Sequence, residues 1–248
     1  MIEIYGLVNK HIVVTGASSG IGRETAVLLS RYGARVSLVA RREEALRETL
    51  SLMEGDGHHY YCCDLSQTDE ISGLVSTIVT DSGPADGFIH CAGIGANLPI
   101  SLTRTDTIDS LMRTNFYSFA EFIRLLSKKK NSNSGASYVG VSSVASIKGD
   151  KSQGAYAATK AAMNAYVHPA AKELAAKDIR VNTVAFGVIR TEAYRKFLED
   201  GGQDSALQNQ FLGYGEPSDA ANLLVFLVSK ASRLITGTTI ICDGGYTS

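Results

Sequence analysis

The junction between residues 11 and 29 constrains the fold most. A β-branched run, His11-Ile12-Val13-Val14-Thr15, ends directly in Gly16-Ala17-Ser18-Ser19-Gly20-Ile21-Gly22, and helical periodicity follows in Ala26, Val27, Leu28 and Leu29. The pattern predicts strand, glycine turn, helix. Glycines permit a tight turn and close approach of the backbone to a ligand, and a helix start offers unpaired N–H groups and a positive dipole end to a phosphate. The spacing is G-x-x-x-G-x-G, unlike the G-x-G-x-x-G of the dinucleotide fingerprint. An ordinary βα loop could carry such glycines, but three within seven residues after the first strand point to phosphate binding by Gly16, Ser18, Ser19, Gly20, Ile21 and Gly22.

The same rhythm continues. Arg35–Ala40 reads as a second strand that closes a βαβ unit, followed by Arg41-Arg42-Glu43-Glu44. In dinucleotide-binding units an acidic residue after the second strand holds the adenosine ribose, whereas arginine receives the 2′-phosphate of NADP. Cations at a helix start oppose its dipole, so an anionic ligand gives Arg41 and Arg42 a reason, with Arg23 as an assistant. Strands at His58–Cys63 and Ala85–Cys91, with a helix near Gln67–Thr80 between them, predict a mostly parallel sheet with helices on both faces. Asp64 is either an acceptor for the adenine amino group or a turn residue. Ala92-Gly93 lets a flat ligand approach the backbone, and His90 beside it reads as structural.

Thr105–Leu126 is helical in pattern and holds Asn115, a residue that competes with the backbone for hydrogen bonds in a helix interior. Lys128-Lys129-Lys130 and Asn131–Gly135 read as a basic helix end and a flexible loop. Ala136–Ser142 reads as a strand with Ser143 at its end. Tyr156-Ala157-Ala158-Thr159-Lys160 then sets a phenol and an ammonium on one helix face. Taken alone, that pair reads as a solvated one. In a cleft, the ammonium is expected to lower the tyrosine pKa so that the phenol can protonate a carbonyl polarised by Ser143. Pro169 lies inside this helix. Arg180–Ala185 is a sixth strand, the stretch 191–217 has no strand signal and reads as a mobile lid, and a helix at Ser218–Ser229 and a strand at Thr238–Cys242 follow.

The balance of 24 basic against 25 acidic residues leaves a net charge of -1, which gives no electrostatic case for nucleic acid or an anionic membrane. Small-molecule partners are expected. The start, Met1–Lys10, lacks the features of a signal peptide, and no stretch reaches transmembrane length. Cys62, Cys63, Cys91 and Cys242 suggest neither a metal site nor disulfides, so buried free thiols in a reducing cytoplasm are expected.

Together these motifs resemble the short-chain dehydrogenase/reductase family over nearly the whole chain. The resemblance rests on TGASSGIG at 15–22, Asp64-Leu65, Ala92-Gly93, Asn115, Ser143, Tyr156 with Lys160, Ile235-Thr236-Gly237 and Asp243-Gly244-Gly245. It implies one doubly wound α/β domain over 1–248 with a seven-stranded parallel sheet. It also implies a tetrad in which Tyr156 is the acid/base, Ser143 orients the carbonyl, Lys160 lowers the tyrosine pKa and holds the nicotinamide ribose, and Asn115 positions a relay water. Leu65, Ala92, Gly93, Gly187, Val188 and Thr191, with Tyr156 and Lys160, join the cofactor contacts by the same resemblance. Two departures stand out: His90-Cys91 where the family has asparagines, and Phe186 where it has proline.

The leading expectation is an NADPH-dependent carbonyl reductase similar to 3-oxoacyl-[acyl-carrier-protein] reductases. A carrier protein would meet Lys128, Lys129, Lys130 and Lys177, which otherwise read as solvated charges. The alternatives are a sugar, polyol or steroid dehydrogenase on the same tetrad, with Ile94, Val144, Phe186 and Tyr194 as apolar walls, and a nucleotide-binding protein without turnover. The resemblance also implies a homo-oligomer, a tetramer.

Overall fold

A computed structural model describes residues 5–199 and 209–248. Its seven strands are β1 (His11–Thr15), β2 (Arg35–Ala40), β3 (His59–Cys62), β4 (Ala85–His90), β5 (Ser132–Ser143), β6 (Arg180–Phe186) and β7 (Thr239–Cys242). They pair in parallel in the order β3-β2-β1-β4-β5-β6-β7. The helices are α1 (Gly20–Arg31), α2 (Glu43–Ser51), α3 (Ile71–Ser82), α4 (Thr105–Met112), α5 (Ser118–Leu126), α6 (Gly154–Leu174), α7 (Glu192–Glu199) and α8 (Pro217–Val228). Among the described residues no helix is long and apolar enough to cross a membrane.

The inner strands β1, β2, β4 and β6 are buried along almost their whole length because both faces are covered, whereas the edge strand β3 leaves Cys62 exposed where a buried thiol was expected. Ile12, Val14, Val36, Leu38, Ile89, Val139, Val141, Val184 and Phe186 point to one face, with α1 and α8 residues such as Leu29 and Leu224. Val13, Val39, Phe88, Tyr138 and Val181 point to the other, where Val75, Phe122, Met163 and Val167 of α3, α5 and α6 cover them. Phe88 stacks on Phe122 with ring centroids 4.7 Å apart, fixing α5 against β4.

Three stretches differ from the sequence reading. Asn131–Gly135 is not a flexible loop: β5 begins at Ser132, opposite Ala85, and slips register before Ser137 pairs with Gly87. Buried Asn131 donates its Nδ2 to the Leu125 carbonyl and so closes the end of α5. Between α4 and α5 the backbone widens into a π-turn, Arg113–Tyr117, with the Ser118 amide bonded to the Arg113 carbonyl. In the expected lid, residues 192–199 form α7 and an isolated bridge joins Ile189 to Gly215; residues 200–208 lie outside the described part. Pro169 leaves α6 continuous, on an exposed side where the unpaired carbonyl it creates can reach water.

Gly140 marks where the packing is tightest, since a Cβ there would sit 2.7 Å from Met163 Cε and 3.0 Å from Phe119 Cε2 and Cζ. Gly140→Ala should therefore destabilise the fold by about 1–3 kcal/mol, the usual cost of overpacking a core. Urea unfolding measures it; an unchanged midpoint would mean that Met163 absorbs the methyl group.

Candidate active site

Ser143 ends β5, and the first turns of α6 carry Tyr156 and Lys160 to the same carboxyl end of the sheet. Ser143 Oγ accepts from the Ala145 amide at 3.2 Å, and Ser146 Oγ donates to the Ser143 carbonyl at 2.6 Å, so the serine sits in a fixed turn. Its side chain is within hydrogen-bonding reach of the Tyr156 phenol. Lys160 is 4 % exposed and donates to the Val141 carbonyl at 2.7 Å, with Nζ 5.8 Å from the centre of the Tyr156 ring. Asn115 is fully buried in the π-turn: its Oδ1 accepts from the Ile94 amide at 2.8 Å, and its Nδ2 donates to the Ile94 carbonyl and to Thr159 Oγ1. Gly93 faces both groups, because a Cβ on it would lie 3.3 Å from Lys160 Nζ and 3.4 Å from Asn115 Oδ1.

The electrostatics correct one expectation. Burial raises the Tyr156 pKa above its ordinary value, opposed by the hydrogen bond with Ser143. Lys160 does not offset this, because its own pKa is pushed below that of the phenol and its charge is lost before Tyr156 titrates. Burial also pushes Lys160 down to about 8, which the nearby Cys91 opposes. Cys91 itself is held up at about 12 by burial, so its thiol stays protonated and unreactive.

Several groups fit a bound dinucleotide. Gly16 has φ +66°, and a Cβ on it would lie 2.7 Å from the Ala92 amide nitrogen, so only glycine lets the first loop meet the β4 turn this closely. A Cβ on Gly22 would collide with the Gly16 carbonyl. Ser19 makes no side-chain cap on α1 and the first turn has no acidic residue, which leaves the N–H groups at Gly20, Ile21 and Gly22 open to an anion. Ser18 is tied down through its carbonyl, which accepts from Arg23. Arg23 also pairs with Glu48 at 2.6 Å, so it braces the loop instead of pointing at a ligand. Arg41 and Arg42 are exposed at the start of α2 and form no ion pair among the described residues, while Glu43 and Glu44 already complement that helix dipole. Asp64 serves a turn, its Oδ1 accepting from the Ser66 amide at 3.0 Å; Leu65 beside it is buried. Thr191 borders the glycine loop, with its Cγ2 3.1 Å from where a Gly20 Cβ would lie.

Phe186 is 3 % exposed and in register with Ser143 and Cys242, so it belongs to the core and does not wall a pocket. Lys128, Lys129, Lys130 and Lys177 follow α5 and α6 toward the amino ends of the strands, opposite Ser143; Lys177 donates to the Ser127 carbonyl. Two residues escaped the sequence reading. Thr159 bonds Asn115 from within the Tyr-to-Lys turn. Gln210, 4 % exposed, accepts from the Val188 amide and donates to the Val188 and Gly213 carbonyls, gripping the loop of Gly187 and Val188. No local pattern marks either of them. His90, read as structural, bridges Thr15 and Ser118.

A protein-family model described as Enoyl-(Acyl carrier protein) reductase matches residues 16–247. Carbonyl reductase family member 4 of Danio rerio is 32% identical over 234 residues, 94% of this chain and 96% of that one. A 3-oxoacyl-[acyl-carrier-protein] reductase of Mus musculus is 32% identical over 237 residues, 96% and 98% of the two chains. Among solved structures, a short-chain dehydrogenase/reductase from Serratia marcescens shares the fold at TM-score 0.91 and 23% identity, covering 98% of this chain and 99% of that one. A short-chain type dehydrogenase/reductase from Mycobacterium ulcerans aligns at TM-score 0.87 and 29% identity, over 97% and 90%.

The buried ammonium makes stability depend on pH. Without a nucleotide, Lys160 titrates near 8 in the folded chain and near its ordinary 10.5 when unfolded. Between those values the unfolded chain binds the extra proton, so folding becomes more favourable as pH rises through the window. The stability of the protein relative to Lys160→Met should be flat below about 8 and climb up to 10.5. Urea unfolding of both proteins checks this, and a difference independent of pH would contradict it.

Proposed function

Because this chain belongs to the short-chain dehydrogenase/reductase family, we propose that it is an NADP(H)-dependent oxidoreductase that reduces a ketone to a secondary alcohol, with 3-oxoacyl thioesters as the substrate class. The observation that carries the reading is the convergence of Ser143, Tyr156 and Lys160 beside Asn115 at the carboxyl ends of β4 and β5, next to an uncapped helix start.

The family uses a nicotinamide dinucleotide, and when bound that group supplies the hydride for the carbonyl carbon. The chain's own residues do the rest. Ser143 and Tyr156 donate hydrogen bonds to the carbonyl oxygen, so that negative charge developing there is stabilised as it forms. The phenol then passes its proton to that oxygen. A tyrosine whose pKa is raised before ligands arrive is fully protonated and ready to act as an acid. Lys160 steadies the resulting phenolate by its charge and offers its remaining N–H groups to ribose hydroxyls. Asn115 positions the water that returns a proton.

The glycine loop takes the pyrophosphate, Leu65, Ala92 and Gly93 pack on the adenosine and nicotinamide ribose side, and Gly187, Val188 and Thr191 border the nicotinamide. Arg41 and Arg42 receive the 2′-phosphate. Ile100 is 84% exposed, and its Cγ1 is 4.0 Å from where a Gly154 Cβ would be, at the start of α6. An apolar side chain there suits an acyl chain better than a polyol. Stretch 191–217 acts as the lid. The edge strand β7, with Ile241 49% exposed, supplies a surface for a homotetramer in the cytoplasm, where the four free thiols remain reduced.

Tyr156→Phe keeps the ring and removes the acid, so turnover of 3-oxoacyl thioesters should fall by about 10²- to 10⁴-fold with NADPH affinity unchanged. A variant that retains more than about a tenth of the rate would overturn the assignment of Tyr156 as the acid. Titration should show tighter binding of NADPH than NADH, with Arg41→Asp shifting preference toward NADH; equal affinities in the parent protein would remove the NADP reading.

A further inference from the structure

The imidazole of His90 stands at the end of β4 with no exposed surface. Its Nδ1 is 2.9 Å from Thr15 Oγ1, and its Nε2 is 3.3 Å from Ser118 Oγ. The neighbours settle which nitrogen carries the proton. Ser118 gives its single hydroxyl proton to the Thr114 carbonyl at 2.6 Å, so toward His90 it can only accept, and Nε2 must be the donor. Nδ1 is then the bare nitrogen and accepts the Thr15 hydroxyl proton, while Thr15 Oγ1 accepts from the Ala92 amide at 3.3 Å. One directed chain of hydrogen bonds results. It starts at the Ala92 amide, passes through Thr15, His90 and Ser118, and ends on the Thr114 carbonyl.

Its two ends matter more than its middle. Ala92 belongs to the turn that meets Gly16, and Thr114 is the residue before Asn115 in the π-turn. A π-turn is a widened helix, and relaxing it toward the α form would rotate Asn115 away from Ile94 and Thr159. Something must hold the wide form in place. Burial and the Lys160 charge keep the ring neutral, so it serves as both donor and acceptor at once.

We propose that His90 is a positioning residue for Asn115, its neutral Nε2–H imidazole locking the π-turn to the Ala92-Gly93 turn so that Asn115 Oδ1 stays aimed at Ile94, beside Gly93 and Lys160. The consequence for turnover rests on the proposed role of Asn115; the placement itself does not.

Amide exchange at Ile94, whose N–H Asn115 holds, tests the placement without any turnover. In His90→Phe, which keeps a ring but no polar atom, exchange at Ile94 should rise about tenfold or more toward its rate in Asn115→Ala, with the amides of β5 unchanged. Ser118→Ala, a smaller change that cuts the same chain, should reproduce the effect. Unaltered Ile94 exchange in both variants would overturn the proposal. Heteronuclear NMR of the parent protein should show a pyridine-like Nδ1 and a protonated Nε2 on His90; the opposite tautomer would also overturn it.

A double-mutant cycle reads the consequence. His90→Phe should cut turnover with little change in cofactor affinity, and should cost less than about twofold more when Asn115 is already alanine. Fully additive losses would show that His90 acts independently of Asn115 and defeat the proposal. If the parent protein reduces no ketone at all, the functional reading falls, and exchange at Ile94 still decides the role of His90.

Discussion

An ammonium kept from water is the interaction around which the site is built. Lys160 has one backbone carbonyl within 2.7 Å and a thioether 4.0 Å away, too little to replace the hydration of a full charge. The surroundings answer by carrying no charge of their own: His90 is pushed down to about 3 and Cys91 up to about 12, and Tyr156 keeps its proton. With no anion beside it, Lys160 drifts toward its neutral form. Hydroxyl oxygens from a ligand at Nζ would reverse that drift, and a more fully charged Lys160 would then lower the tyrosine pKa. Cofactor binding and proton transfer are thereby coupled through one nitrogen.

The sheet makes that arrangement possible because parallel strands all deliver their carboxyl ends to one side. The chain reverses its direction of winding between β1 and β4, and the crevice at that switch point is where open α/β sheets bind ligands. Thr15, His90 and Ser143 come from three adjacent strands at this rim. α6 then works as a ruler: four residues from Tyr156 to Lys160 span one turn, and Thr159 between them reaches sideways to Asn115. Gly140 lets α5 and α6 lie close on β5, which sets the height of all these groups above the sheet.

Much of this was legible in the sequence for a physical reason. Strands buried on both faces must be apolar runs, so β1, β2, β4 and β6 stand out within a residue or two, and a residue pair four apart on a helix declares its shared face. What could not be read depends on contacts between distant segments. The start of β5 hides in Asn131–Gly135, polar residues that look like a loop until Ala85 pairs with Ser132. The π-turn has no local signature, and neither Thr159 nor Ser118 looks unlike an ordinary helix residue. The raised Tyr156 pKa is a matter of desolvation, which sequence spacing cannot express.

The stretch after β6 shows how a lid would be tied to the site it covers. Ile189 bridges to Gly215, and Gln210 holds both the amide and the carbonyl of Val188 as well as the Gly213 carbonyl. Thr191 lies against Gly20 of the phosphate loop. A buried carboxamide with three partners is costly to strip bare, because each lost bond leaves a polar group unsatisfied. Closure that moved Gln210 would therefore carry Val188 with it, and a shift at Val188 is a shift of the loop proposed to border the nicotinamide. If the proposed lid and nicotinamide contacts hold, substrate entry and cofactor seating would be mechanically one event.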